Sequence, residues 1–347
     1  MAMKLAVLTV GGDAPGLNAA IRAVVRAAAY RYGSDVVGIP SGFEGLLRPP
    51  QFWSLAPGDV RGLVRRGGTL LGCNHSDPFA TPAGDRSEEV VESVRWLGID
   101  GVICIGGMGT ISIAARLSAR GVPVLCIPKT VENDVPGTKV TFGHTTAVEL
   151  ATAAIDNLQT TGETEHRVMY LEVLGREAGW IALHAGIAGG ADVILIPEIP
   201  YAPERVVELI RERRRKRKPS TIVVVAEGAR ARDEEQRWPA GRAAERVRQR
   251  VSEDLGEHEA LVTVLGHLQR GGDPNPQDRV LATRFGAAAV RAAHEGRFGN
   301  LVALRGSGPK LVPLERVVGR VRRVDPEGDR VWTAVSMGIS LGRPRGH

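Results

Sequence analysis

The sequence runs to 347 residues, 43% apolar and 24% charged, with 43 glycines, 4% aromatic residues and a formal net charge of +6. That length exceeds one typical domain and can bury a substantial core, so two lobes are expected; the basic balance comes without a nucleic-acid-binding module, which points to anionic metabolites and away from RNA or DNA. Cys73, Cys104 and Cys126 form no CxxC pair, which argues against a disulfide framework and for a reducing cytoplasm, and no apolar run approaches the roughly 20 residues of a membrane span.

Lys4 to Val10 is predicted to be a strand, followed by Gly11-Gly12-Asp13-Ala14-Pro15-Gly16 and a helix from about Asn18 to Tyr30. Glycines that admit an anion to the backbone, followed by a helix N-terminus, make a phosphate cradle; an ordinary glycine turn has the same look. Neither GxGxxG nor GxxxxGK[ST] is present, so the dinucleotide and Walker signatures do not apply. Asp35 to Pro40 is a second strand, and the loop from Arg65 to Phe79 carries Thr69, Asn74 and His75. A helix at Glu88 to Leu97, a strand at Val102 to Ile105, a helix at Ile111 to Arg120 and a strand at Val122 to Ile127 follow. This alternation predicts an α/β fold, mainly parallel sheets with helices on both faces.

Two of these strand ends carry chemistry. Val102 to Ile105 runs into Gly106-Gly107-Met108-Gly109-Thr110, and Val122 to Ile127 into Pro128-Lys129-Thr130-Val131-Glu132-Asn133-Asp134. Two acids two residues apart at the carboxyl end of a parallel strand lie where open α/β sheets bind ligands, so one can act as base while the other holds a cation. Further on, a helix after Thr145 runs to about Leu158, and the strand Arg167 to Val173 ends in Leu174-Gly175-Arg176, a candidate anion clamp. A helix at Ile181 to Ala188, a strand at Ala191 to Ile196 and a helix from Pro203 to about Lys218 precede the strand Thr221 to Ala226, which delivers Glu227. Leu261 to Leu265 delivers Gly266-His267-Leu268-Gln269-Arg270-Gly271-Gly272.

The motifs GGDAPGLNAAIR, GGTLLG, CIGGMGT, PKTVENDVPGT, EVLGREAGW, GIAGG and VLGHLQRGG together resemble the phosphofructokinase family in order and spacing, from Leu5 to about Arg297. The resemblance implies a two-lobed phosphofructokinase-like fold, with residues 1–143 plus 269–299 as the nucleotide-binding lobe and 144–268 plus 300–347 as the sugar-binding lobe. It implies ATP and Mg²⁺ as cofactors, a sugar or sugar phosphate as substrate, and a homotetramer or homodimer whose neighbouring subunits share active sites. By position it puts nucleotide phosphates on Gly12, His75, Gly107, Met108, Gly109 and Thr110. Thr130, Glu132, Asp134 and Arg176 take the catalytic places, Glu132 as general base and Asp134 as metal ligand. Arg167, Leu174, Gly175, Arg176, Glu227, Leu261, His267 and Arg270 join Thr130 as substrate-binding positions, Arg167 being lent to the neighbouring subunit.

Four residues depart from the family pattern. Met108 replaces a metal-binding aspartate, Glu132 an aspartate base, His75 a phosphate-binding arginine and Leu261 an arginine that reaches the sugar phosphate across the subunit interface. A thioether is a poor ligand for a hard cation, so Asp134 and water carry the metal or its binding is weakened. Lys129 accompanies pyrophosphate as donor in the family, whereas Gly109 leaves room for ATP. Three readings stay open: an ATP-dependent kinase of fructose 6-phosphate, a kinase with a changed sugar or polyol acceptor, and a silent regulatory subunit.

Overall fold

The computed structural model describes residues 2–235, 238–255 and 260–344. Its strands in chain order are β1 (Lys4–Thr9), β2 (Asp35–Ile39), β3 (Trp53–Ser54), β4 (Gly101–Gly106), β5 (Val124–Pro128), β6 (Val168–Val173), β7 (Val193–Leu195), β8 (Thr221–Ala226), β9 (Leu261–Val264), β10 (Asn300–Arg305) and β11 (Gly308–Pro313). The helices are α1 (Leu17–Tyr32), α2 (Ser87–Trp96), α3 (Met108–Ala119), α4 (His144–Glu165), α5 (Trp180–Ala188), α6 (Pro203–Arg215), α7 (Ala243–Leu255), α8 (Pro276–His294) and α9 (Asp329–Ser336). No described helix is long and apolar enough to cross a membrane.

The chain forms two compact units. The first holds residues 1–130, 135–145 and 270–320, with a seven-stranded sheet in the order β11-β10-β5-β4-β1-β2-β3. Its middle pairings are parallel, and only the edge strands β3 and β11 run antiparallel. Every residue of β4 and β5 is buried, as expected of parallel strands covered on both faces. Along β1, Leu5 and Val7 pack with α1 and α8 while Ala6 and Leu8 pack with α2 and α3, so the strand alternation itself feeds two cores. Helix α1 ends at Gly33, whose left-handed backbone lets its N–H reach the carbonyls of Ala28 and Ala29. Helix α8 opens with Asn275, whose side chain accepts from the Asp278 amide at 2.9 Å, and then Pro276.

The second unit holds residues 131–134, 146–269 and the chain from Val321 on, with an all-parallel sheet in the order β7-β8-β6-β9. Val168 and Tyr170 of β6, Val193 and Leu195 of β7, and Val223 and Val225 of β8 pack with residues of α6 and α7. Helix α5 lies close to β7, where a Cβ on Gly186 would come within 2.5 Å of Ile194.

The structure moves several expected boundaries. Residues 300–320, expected in the second lobe, belong to the first unit because β10 pairs with β5 and β11 extends the same sheet. Residues 144–145 stay there too, Thr145 donating to Asn275 at 3.1 Å. Gln269 goes the other way, accepting from the Leu174 amide at 2.7 Å. Helix α4 outruns its expected end, and α6 stops at Arg215, short of the expected Lys218.

Candidate functional site

In the first unit, β1, β4 and β5 are adjacent and parallel, so the segments that leave them emerge at one edge of the sheet. The Gly11-Gly12 turn leaves β1 with Gly11 at φ 80, in the left-handed region. The loop between Arg65 and Phe79, which says little as sequence, is sewn to this turn. The Gly11 amide donates to the Asn74 carbonyl at 2.7 Å, Thr9 Oγ1 meets Thr69 Oγ1 at 3.0 Å, and Asn18 accepts from the Leu70 amide at 2.7 Å. His75 comes against Gly11, its ring within 3.9 Å of where a Cβ would stand. On Gly12, Arg270 Nη1 lies 3.3 Å from such a Cβ, so the absence of a side chain admits the guanidinium.

The turn after β4 starts α3 at once. A Cβ on Gly106 would overlap the buried Thr110 side chain, and Gly107 stands at the helix N-cap with Gly109 exposed in the first turn. Free amides of a helix start facing solvent suit a phosphate. Met108 turns away from that task, its side chain packing on the apolar cluster beneath α3. After β5, Lys129 is buried and its ammonium donates to the carbonyl of Val10 at 3.1 Å and to that of Gly12, which ties the β5 and β1 turns together. The Thr130 carbonyl accepts from Thr141 Oγ1 at 2.6 Å. Cys73 lies next to this lysine; burial pushes its thiol above the usual range, Lys129 opposing that and Asp13 adding to it.

In the second unit, β8, β6 and β9 are parallel neighbours, and Glu227, Leu174-Gly175-Arg176 and His267 follow their carboxyl ends. Gly175 takes φ 145, and its carbonyl accepts from the Gly228 amide at 3.1 Å. A Cβ on Gly228 would come within 2.1 Å of the Arg176 carbonyl, so the 175–176 turn rests on bare backbone. The acid-bearing segment 131–134 joins this edge, Glu132 Oε2 accepting from the Arg176 amide at 3.3 Å. Side chains of Arg176 and His267 are exposed, and Glu227 is half-buried.

Arg167 and Leu261 lie elsewhere. Leu261 pairs with Met169 at the amino-terminal ends of β9 and β6, and Arg167 precedes β6 in an ion pair with Glu165 at 3.2 Å. At about 3.3 Å per residue, five or six residues of strand put them nearly 20 Å from the Gly175 edge of their own sheet. The expected substrate positions in this unit therefore divide into Leu174, Gly175, Arg176, Glu227 and His267 at one edge and Arg167 and Leu261 at the other.

Three residues with a part in this geometry carried no sequence signal of their own. Gln269 is buried and bridges the Leu174 amide and the Ala147 carbonyl. Gly228 permits the close approach of the Arg176 backbone, its one trace in sequence being a glycine directly after Glu227. Arg322 contacts the 131–134 segment from near the C-terminus.

Among the described residues no cluster of three or more His, Cys, Asp or Glu side chains could hold a metal by itself. Mg²⁺ at phosphoryl-transfer sites is usually held by one or two carboxylates together with substrate phosphates and water. A single carboxylate such as that expected of Asp134 fits a cation whose other ligands are phosphate and water oxygens.

A family model described as Phosphofructokinase matches residues 4–293. A protein of Chloroflexus aurantiacus named ATP-dependent 6-phosphofructokinase is 48% identical, the match covering 98% of each chain. One from Amycolatopsis methanolica named pyrophosphate–fructose 6-phosphate 1-phosphotransferase is 44% identical over 94% of this chain and 97% of its own. Among solved structures, the phosphofructokinase of Saccharomyces cerevisiae superposes with a TM-score of 0.79 at 32% identity; the match covers 98% of this chain and 48% of the yeast chain, so this chain spans about half its length.

Proposed function

This chain belongs to the phosphofructokinase family, and we propose that it transfers the γ-phosphoryl group of ATP to a hydroxyl of fructose 6-phosphate, with Glu132 as general base. The observation that carries the reading is the contact of the Glu132 carboxylate with the Arg176 amide at 3.3 Å, which joins a base to an exposed guanidinium on one edge of a sheet. The acceptor oxygen bonds to the γ-phosphorus as its proton passes to Glu132. The bond from that phosphorus to the β–γ bridging oxygen breaks, and its electron pair leaves with ADP. Negative charge spreads over the transferring group, and Arg176 is the side chain assigned to offset it. Gly12, Gly107, Gly109 and Thr110, with His75, are assigned to the nucleotide phosphates; Glu227, His267 and Arg270 to the sugar phosphate. Mg²⁺ held by Asp134 and phosphate oxygens would neutralise charge on the nucleotide.

Pyrophosphate is the second donor reading, favoured by the name of the Amycolatopsis methanolica relative. Against it, the Lys129 ammonium is engaged by the carbonyls of Val10 and Gly12.

Purified protein is assayed with fructose 6-phosphate and Mg²⁺, with ATP and with pyrophosphate in parallel. Turnover of about 1–100 per second is expected with ATP, falling by roughly 10²–10⁴-fold in Glu132→Gln. Turnover with pyrophosphate alone would overturn the donor, and silence with both donors the acceptor.

A further inference from the structure

The segment that follows the first unit's last stretch returns to the second unit and grips the acid-bearing loop. The Arg322 amide donates to the Asp134 carbonyl at 2.7 Å and Arg322 Nη1 to the Asn133 carbonyl at 3.0 Å. These are the two residues that follow Glu132. Asn133 takes φ 55, a left-handed conformation that asparagine adopts more readily than most residues and that the Arg322 bonds on either side of it hold in place. The guanidinium is fixed in turn: its Cζ stacks 4.1 Å from the centroid of the Trp180 ring, and the Trp180 indole N–H donates to the Arg322 carbonyl at 3.0 Å. Glu198 anchors the next turn of chain, accepting from the Val324 amide at 2.8 Å and from the Gly179 amide at 3.1 Å.

We propose that Arg322 is a positioning residue for phosphoryl transfer, holding the Asn133 and Asp134 carbonyls so that the Glu132 carboxylate stays at its post beside the Arg176 amide. The proposal rests on the reading of Glu132 as base. Displacing a catalytic group by about 1 Å can cost about a hundredfold in rate, so a clamp on the backbone of the two residues that follow it is worth a large factor in kcat. The bond between the Arg322 amide and the Asp134 carbonyl is made by backbone and survives a change of the Arg322 side chain, so substrate binding is expected to stay in place when the guanidinium is removed. Burial, with Arg330 adding its own positive charge, pulls the guanidinium down to about 10, which still leaves it charged at neutral pH.

The test compares Arg322→Gln, Arg322→Lys and Trp180→Phe in the wild-type and Glu132→Gln backgrounds, with kcat and each KM measured on the full chain. Arg322→Gln is expected to lower kcat about 10- to 100-fold with KM for ATP and sugar phosphate within about twofold. Guanidinium ion at millimolar concentration should restore part of that loss, which it would not do for a protein that had merely lost folded fraction. Trp180→Phe keeps an aromatic ring beneath the cation and removes the indole donor, so it should lower kcat in the same direction but less; it also serves where Arg322→Gln does not fold. In the Glu132→Gln background Arg322→Gln should change the residual rate little, since its action runs through Glu132. Wild-type kcat in Arg322→Gln and Trp180→Phe beside an impaired Glu132→Gln would overturn the clamp alone. An equal Arg322→Gln loss in both backgrounds would do the same, whereas a fully active Glu132→Gln enzyme would overturn the base and the clamp together.

Discussion

At Gly175 the backbone sits at φ 145, and an added Cβ would come within 2.8 Å of the Ala178 carbonyl. At Gly12 a Cβ would meet only the far end of Arg270, at 3.3 Å. Gly175→Ala should therefore cost about 1–3 kcal/mol of stability and most of the activity, while Gly12→Ala should leave the melting temperature nearly unchanged and act chiefly through KM for ATP. Thermal melts and steady-state kinetics on the two variants check this contrast. Thr130, Glu132, Asp134, Gly175 and Arg176 could be picked out in the sequence because each follows an apolar strand directly. Gln269 and Arg322 could not: their partners Leu174 and Asn133 lie 95 and 189 residues away, and only the folded chain brings them together. His75 and Lys129 were visible as residue types, but that one rests against Gly11 and the other binds the Val10 carbonyl is a matter of three-dimensional placement.

Helix α5 carries a titratable group away from the carboxylates. Burial, with Arg330 and Arg322 adding positive charge nearby, pulls the His184 imidazole down from an ordinary 6.5 to about 4. The folded state thus binds fewer protons than the unfolded chain between those values. The contribution of His184 is complete above pH 6.5 and is lost as pH falls toward 4, by about 2–3 kcal/mol at pH 4.5. The buried carboxylates of Glu172 and Glu198, raised mainly by desolvation, act with opposite sign, so the variant comparison is what isolates the histidine. Urea midpoints at pH 7 and pH 4.5 should converge in His184→Gln relative to the parent; an unchanged gap would remove the role given to His184. The strands were easier to foresee than the later helices, since largely apolar runs such as β4 and β8 belong buried on both faces of a parallel sheet. Helix α8 has a weak signature in the sequence because alanine supplies much of its buried face and Gly286 interrupts it, reading as a breaker. In the fold that glycine is a close-packing site: a Cβ there would stand 2.7 Å from the Ala20 carbonyl of α1.

Across the whole molecule, Arg167 and Leu261 stand at the edge of their sheet opposite Glu132, Arg176 and His267. If copies of the chain share active sites with Arg167 serving a neighbour's, Arg167→Ala and Glu132→Gln chains that are each inactive should recover partial activity when co-expressed. Sites built from the two intact contributions account for the recovery, and its absence would assign each site to one chain. The two-lobed division was legible from length and motif order, but its seams were not. They depend on strand pairing, as with β10 on β5, and on backbone clamps such as Arg322 on residues 133 and 134. The pairing of β5 with β10 has a further consequence during synthesis. Once residue 128 has left the ribosome, β5 is the outer strand of a growing sheet, and the strand that covers its free side begins only at Asn300. At about 5–20 residues per second, that apolar edge waits roughly 10–30 seconds for its neighbour, a window in which nascent chains on adjacent ribosomes can pair edge to edge.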